Sequence, residues 1–253
     1  MEARWSPQFY LAMTEPLNIV AWPSTPEELI RLQCDLAGMI PEPWVIGEAA
    51  RAVAGCWICH PKGREGKGAA GDSSWAAAVL LVDGALSAVA IARGEARAPY
   101  QPGLLALREG GLLEEAVLKL PERPEVLLVN ATGRDHPRRA GLALHLGARL
   151  SLPTVGVTRQ PLLGDGPWPV RERGAAEPLR IGDEVVGCRL CTRSGTLPLV
   201  VHPAWRTCLE TAAAVVMATT GRSRTPEPLR HARRAAREAR ARPGSGRGAS
   251  HQD

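Results

Sequence analysis

The chain has 253 residues, which is enough for one large α/β domain with tails. Its formal net charge is +5, but residues 222–253 hold nine arginines against three carboxylates, so the remaining residues sum to about −1. The first residues lack a basic segment followed by an apolar stretch, and no run approaches the roughly 18 apolar residues of a membrane helix. We therefore expect a soluble, cytoplasmic protein whose basic character belongs to its tail.

The amino-terminal third predicts one helix followed by three strands. Residues 1–21 show no clear pattern and form an unassigned leader. Thr25 then stands before a proline and three residues before Glu28, which is typical of a capped helix, here over residues 26–37. After a strand at 53–59, two apolar runs flank Asp83-Gly84, a favoured two-residue turn. These runs predict a meander of three strands.

The middle of the chain predicts helix, strand, helix and strand in alternation. Apolar residues recur at helical spacing over residues 103–119, and Val126–Val129 is a short apolar run typical of a buried central strand. Asn130 follows that strand directly. Because open α/β sheets bind ligands beyond the carboxyl ends of their strands, we expect Asn130 to lie at a functional edge.

The last third predicts a second hairpin, a helix and a polar tail. The hairpin covers 185–192 and 197–201, and the helix covers 205–218. We therefore divide the chain into the leader, a domain at 22–221 and a basic, partly disordered tail at 222–253. The tail's arginines are suited to neutralising nucleic-acid phosphates, and its alanine and arginine content permits a helix with charge nearly all round.

Two Cys-x-x-Cys pairs raise the alternative of a zinc site. They are Cys56 with Cys59, and Cys188 with Cys191. Both pairs lie inside predicted strands, where residues three apart point to opposite faces. Ordinary buried thiols are therefore the favoured interpretation.

Several motifs, in one order over about residues 22–235, resemble the endonuclease V family, metal-dependent nucleases that nick nucleic acid next to deaminated purines such as hypoxanthine. The motifs that carry the resemblance read VAGCWICHP, PYQPGLLALREG, LLVNATGRDHPRRAGLALHLG, LPTVGVTR and RTPEPLRHA. The resemblance implies an α/β fold of the ribonuclease H-like class, a mixed sheet with flanking helices. The order of the predicted elements, a meander followed by two βα units, indicates the same class.

The resemblance also implies a magnesium site of four carboxylates, and most of them are missing here. Matched position by position, they fall on Trp57, Glu109, Asn130 and Cys208, so that only Glu109 remains as a carboxylate ligand. Magnesium requires oxygen ligands; indole has no lone pair to offer and a thiol is too soft. Asp72 and Asp135 are the nearest candidates to replace the lost carboxylates. We expect a degraded site, with Mg²⁺ as cofactor only if they do so.

Other family positions are retained and point to nucleic-acid binding. Tyr100 matches the family's wedge, which presses into the strand where the damaged base is displaced, and Pro102 and Gly103 hold its loop; the alternative is a tyrosine that only anchors the start of a helix. The strand-end motif supplies four further predicted contacts to nucleic acid: Gly133, His136, Arg138 and Arg139. We expect the histidine and the two arginines to contact phosphate.

Arg159 takes the place of a family lysine that approaches the active site, so the positive charge is kept. If the site is active, Glu109 would hold the metal while His136 and Arg159 face the phosphate.

We therefore predict a DNA-repair-class protein that recognises hypoxanthine and whose magnesium-dependent cleavage is lost or strongly impaired. The alternative is an active endonuclease that cuts the phosphodiester backbone next to hypoxanthine. The expected partner is DNA or RNA containing deaminated bases, without membrane association, and the chain is expected to act as a monomer.

Overall fold

A computed structural model describes residues 21–47, 50–61 and 68–242. They form one eight-stranded mixed sheet in the order β3-β2-β1-β4-β5-β8-β7-β6, flanked by five helices. The strands are β1 (Ala52–Cys59), β2 (Ser73–Val82), β3 (Ala85–Glu95), β4 (Val126–Val129), β5 (Thr154–Thr158), β6 (Ala176–Ile181), β7 (Glu184–Leu190) and β8 (Leu199–Pro203). The helices are α1 (Pro26–Gly38), α2 (Leu105–Leu118), α3 (Leu142–Leu150), α4 (Leu209–Ala218) and α5 (Glu227–Ala241). The predicted fold class is confirmed.

Three parallel strands form the centre of the sheet. β1 pairs in parallel with β4, and β4 with β5, while the other neighbours are antiparallel. The carboxyl ends of β1, β4 and β5 therefore meet at one edge of the sheet, which we call the carboxyl edge. The meander β1–β2–β3 and the turn at Asp83-Gly84 agree with the sequence prediction.

The sheet is covered on both faces by apolar side chains. The helices α1, α2 and α3 cover the face to which Ala54 and Cys56 of β1 point, which we call the α2 face. The helices α4 and α5 cover the opposite face, which holds Val53 and Trp57, and which we call the α5 face. This alternation decides which side chains at the carboxyl edge can meet.

α5 is part of the folded domain, so the predicted domain boundary at residue 221 is too early. The helix packs on β1 and β2 and buries Leu229, Ala232, Ala236 and Ala239. Gly55 permits this approach, since a Cβ there would lie 2.5 Å from the Pro228 carbonyl carbon. The helix is thus amphipathic rather than charged all round. The leader up to residue 20 and the chain beyond 242 lie outside the described residues.

Two further differences concern the carboxyl-terminal half. The sequence interpretation missed β6, which forms a hairpin with β7, and it began the last predicted helix too early. Residues 205–207 instead bind the start of β5: the Trp205 amide donates to Thr154 Oγ1 at 3.1 Å, and the Thr207 hydroxyl donates to the Thr154 carbonyl at 2.7 Å. None of the helices that the structure describes combines the length and the apolar character needed to cross a membrane.

Candidate nucleic-acid site

Trp57 and Asn130 lie side by side at the carboxyl edge. Their preceding residues, Cys56 and Val129, are register partners of β1 and β4. Trp57 packs on the α5 face, and Asn130 is exposed and follows Leu128 of the same face by alternation. The structure therefore brings these two predicted positions together.

The neighbour of Trp57 is an arginine. The Arg233 guanidinium carbon lies 5.3 Å from the centroid of the Trp57 ring, a cation–π contact. Burial, followed by the charges of Arg237 and Arg159, lowers the pKa of Arg233. Arg159, which follows β5, is exposed at this edge. This part of the carboxyl edge is therefore cationic.

Glu109 approaches the carboxyl edge from the α2 face. Its Oε1 lies 3.1 Å from Nε2 of His60, just beyond β1, and His60 Nδ1 lies 2.9 Å from the Ser74 hydroxyl. Burial, and then the charge of Glu109, raise the pKa of Cys56, a residue of the same face. The one remaining family carboxylate thus has a histidine partner and belongs to the other face from Trp57.

Neither of the carboxylates proposed as replacements is available. Asp72 is buried and its Oδ2 accepts from Arg108 Nη2 at 2.8 Å and from the Ala69 amide at 2.8 Å. Asp135 is fully buried and accepts three backbone amides, from residues 162, 163 and 164, at 2.7 to 2.8 Å. Both carboxylates are occupied by partners within the protein, so neither of these candidates replaces a lost ligand.

Cys208 does not join the other three positions. It caps α4, where its Sγ accepts from the Thr211 amide at 3.5 Å. The preceding loop is bound to Thr154, at the amino end of β5, and β8 runs antiparallel to β5. The match of Cys208 to a metal ligand is therefore wrong, because the fold places it away from the carboxyl ends of β1 and β4.

The donor set at the carboxyl edge does not fit magnesium. Indole and guanidinium supply no oxygen, and a guanidinium repels a divalent cation. Among the described residues no group of three or more His, Cys, Asp or Glu side chains is arranged to hold a metal ion. The two Cys-x-x-Cys pairs are free thiols on β1 and around the end of β7, and three other strands separate β1 from β7.

The loop of Tyr100 is held by a convergent set of hydrogen bonds. Tyr100 is 41% exposed after β3, and its amide donates to the Gly68 carbonyl at 3.1 Å. The Gly103 carbonyl accepts from Gln33 Nε2 at 3.1 Å, His136 Nε2 at 3.1 Å and Arg138 Nη2 at 2.8 Å. Gly103 has φ +77°, a conformation that favours glycine. An exposed tyrosine therefore lies on a loop that hydrogen bonds hold in place, and Pro102, between Tyr100 and Gly103 in the chain, is exposed as well.

His136 serves this loop rather than a phosphate. The Arg138 amide donates to its Nδ1 at 3.2 Å, so the neutral ring carries its proton on Nε2, toward Gly103. Burial, with the charge of Arg138, lowers the pKa of His136 to about 4. A buried neutral imidazole with both nitrogens engaged is a positioning residue.

The two arginines of the strand-end motif are also engaged within the protein. Arg138 Nε donates to Gln33 Oε1 at 2.6 Å, and Arg139 Nε to Glu184 Oε2 at 2.6 Å. Gly133 is required by packing, since a Cβ there would lie 2.3 Å from the Pro203 carbonyl oxygen. Both arginines and the glycine of this motif are therefore occupied by contacts within the protein.

The sequence interpretation placed Arg233 and Arg237 in a basic tail rather than at this edge, and it did not single out His60. Arg233 directly follows the motif RTPEPLRHA, and Arg237 lies one helical turn later, at a spacing that places both on one side of α5. That spacing could have identified them. His60 gave no such signal, because its partners Ser74 and Glu109 are 14 and 49 residues away.

Comparisons with known proteins agree with the motifs and the fold. The family model for Endonuclease V matches residues 45–234. Endonuclease V of Thermus thermophilus is 40% identical over 215 residues, covering 82% of this chain and 90% of that protein. The crystal structure of Endonuclease V from Streptomyces avermitilis superposes with a TM-score of 0.77 at 36% identity, covering 87% of this chain and 95% of that one.

A more distant structure adds a bound nucleic acid. Endonuclease V of Ciona intestinalis, solved in complex with a 24-mer DNA containing an inosine, shares the fold with a TM-score of 0.71 at 20% identity, over 84% of this chain and 96% of that one. The family model covers most of the present chain, and the relatives match over nearly their whole length. This chain belongs to the Endonuclease V family.

Proposed function

We propose that this protein binds nucleic acid containing deaminated purines, with hypoxanthine as the recognised base, and does not cleave it by magnesium-dependent hydrolysis. The observation that carries the proposal is the cationic carboxyl edge, where Arg233 lies on Trp57 beside Asn130. Phosphodiester hydrolysis of this type needs a metal to generate hydroxide and to neutralise the leaving oxygen. An edge of indole, amide and guanidinium groups can bind phosphate, but it offers no ligand set for a metal that would generate hydroxide.

Recognition is assigned to the loop of Tyr100. Displacing a base costs a few kcal/mol, and an aromatic ring that enters the gap recovers part of the lost stacking. Tyr100 is exposed, and three side chains hold the Gly103 carbonyl, so little of the binding energy is spent on ordering the loop. The Ciona relative was solved with inosine-containing DNA, which supports hypoxanthine as the recognised base. We further propose that the protein acts in the cytoplasm as a monomer.

The first experiment compares binding and cleavage on the same substrates. Labelled strands that carry hypoxanthine or guanine at one position are incubated with the protein in Mg²⁺ and, separately, in Mn²⁺. We expect preferential binding of the hypoxanthine strand and no cleavage with either ion. If the wild-type protein cleaves the strand and Glu109→Ala abolishes that cleavage, the proposal is contradicted and the protein is an active metal-dependent nuclease.

A matched pair of variants tests the wedge. Tyr100→Ala is expected to reduce the preference for hypoxanthine over guanine toward unity. Leu86→Ala removes a comparably exposed apolar side chain at the start of β3, away from the carboxyl edge, and should retain the preference. If the wild-type protein and Tyr100→Ala prefer hypoxanthine over guanine to the same extent, Tyr100 is not the wedge.

A further inference from the structure

The exposed side of α5 carries more positive charge than its own carboxylates neutralise. A surface groove of about 390 Å³ on this helix is lined mainly by arginines. Arg230 pairs with Glu227, and Arg234 Nε lies 2.7 Å from Glu238 Oε1. Within the part of the chain that the structure describes, Arg233 and Arg237 form no ion pair with a carboxylate. Two guanidinium groups that line the groove therefore remain unneutralised, one turn apart, while Arg240 lies outside the groove and donates to the His60 carbonyl.

The position of Arg233 is fixed although its charge is not neutralised. Its guanidinium lies over the Trp57 ring, and its Nε is buried without a hydrogen-bond partner among the described residues. The charge of Arg159, across the carboxyl edge, also acts on it. Three cations that converge without an anion repel one another, and a bound anion would relieve the repulsion. A buried donor without a partner is also unusual in a folded protein.

We propose that Arg159, Arg233 and Arg237 form a phosphate site for the backbone of a nucleic-acid strand, with Trp57 as the surface that holds Arg233 in place. Guanidinium groups bind phosphate oxygens through paired N–H donors, which suits a phosphodiester. Exposed Asn130 lies between the Trp57 and Arg159 strands and adds an amide donor at the same edge. The guanidinium groups would neutralise the charge of the bound phosphate, but they supply no hydroxide to cleave it. The inference rests on the proposed function, because it assumes that a strand crosses this edge.

The test measures binding of an undamaged, fluorescein-labelled single-stranded 20-mer between 50 and 200 mM salt. Each lost phosphate contact should lower the slope of log K against log salt by about 0.7 for a single strand. We expect Arg233→Gln and Arg237→Gln each to show that decrease and to bind about 5- to 10-fold more weakly at low salt. Arg51→Gln is the matched control: it removes the same charge from an exposed position just before β1, at the opposite edge, where Arg51 pairs with Asp83.

Two further arms separate this inference from the proposed function and from misfolding. Arg233→Lys keeps the charge and should retain the wild-type salt slope, while thermal unfolding of every variant verifies the fold. Preference for hypoxanthine over guanine should persist in the glutamine variants, because both strands lose the same contact. An unchanged slope in Arg233→Gln and Arg237→Gln would overturn the phosphate site even if the preference stands. If the wild-type protein shows no preference for hypoxanthine over guanine, the proposed function is overturned instead.

Discussion

Replacing Gln33 with leucine should loosen the wedge loop without touching the nucleic acid. Gln33 is buried on α1, where its Nε2 donates to the Gly103 carbonyl and its Oε1 accepts from Arg138 Nε. Leucine has a similar volume but can make neither hydrogen bond. The change therefore isolates the polar contribution of this residue to the loop.

The two hydrogen bonds of Gln33 determine how much stability the substitution removes. The amide-to-carbonyl hydrogen bond at 3.1 Å contributes about 1 kcal/mol, and the charged one at 2.6 Å contributes about 1.5–3 kcal/mol. Because Arg138 is only partly buried, water replaces part of the second contribution, and we expect a loss of about 2 kcal/mol in the free energy of unfolding. At this chain length that corresponds to a melting temperature lower by roughly 4–8 °C.

Urea unfolding and the two-strand binding assay are then carried out on the same preparations. Gln33→Leu should show the loss of stability and a reduced preference for hypoxanthine, while Gln160→Leu, an exposed position, should change neither. A full loss of stability with an unchanged preference would show that the wedge does not depend on this anchor. No loss of stability would refute the hydrogen-bond reasoning itself.

Three further predictions concern buried groups and close packing. Asp135→Asn, which replaces one acceptor oxygen by a donor facing backbone amides, should lower the free energy of unfolding by about 3 kcal/mol. Asp165→Asn, at the exposed position just after those three amides, should change it by no more than about 0.5 kcal/mol in urea titrations. Burial lowers the pKa of His145 from 6.5 to about 3, so the unfolded chain gains a proton first and stability falls as the pH drops below 6.5. His145→Phe should therefore reduce the difference in unfolding free energy between pH 7.5 and pH 5.0 by about 2 kcal/mol, and an unchanged difference would contradict this assignment. Gly55→Ala should displace α5 and weaken binding of the undamaged strand at a cost of about 1–3 kcal/mol in stability, while Gly38→Ala, whose added Cβ meets no atom within 4 Å, should bind normally. Normal binding by Gly55→Ala would show that the close approach of α5 is unnecessary.

The sequence predicted the sheet better than it predicted the site. Continuous apolar runs predicted β1, β2 and β4 within a few residues, because strands buried on both faces leave a strong local pattern, and the Asp83-Gly84 turn located the start of the more exposed β3. β6 was missed because it is short, half exposed and contains a proline.

The site was harder to predict because it depends on which face of the sheet each side chain occupies and on contacts between segments that are distant in the chain. Motif matching placed Cys208 among the ligands, although the antiparallel direction of β8 carries it to the start of β5. It likewise gave no partner for Trp57, because Arg233 is far away in the chain and meets it only when α5 folds over β1. Asp135 was proposed as a ligand because the sequence does not reveal the three amides that already surround it.

The contact of Arg233 with Trp57 also affects what an acidic substitution at residue 57 could achieve during evolution. An aspartate introduced alone at residue 57 would face the Arg233 guanidinium, and the two would neutralise each other as an ion pair. Loss of Arg233 alone would leave an indole, which has no lone pair to offer a cation. Neither single substitution creates a ligand that is free to bind a cation, so the effects of the two positions are not additive. A carboxylate at residue 57 would therefore be free to bind a cation only if Arg233 were replaced as well.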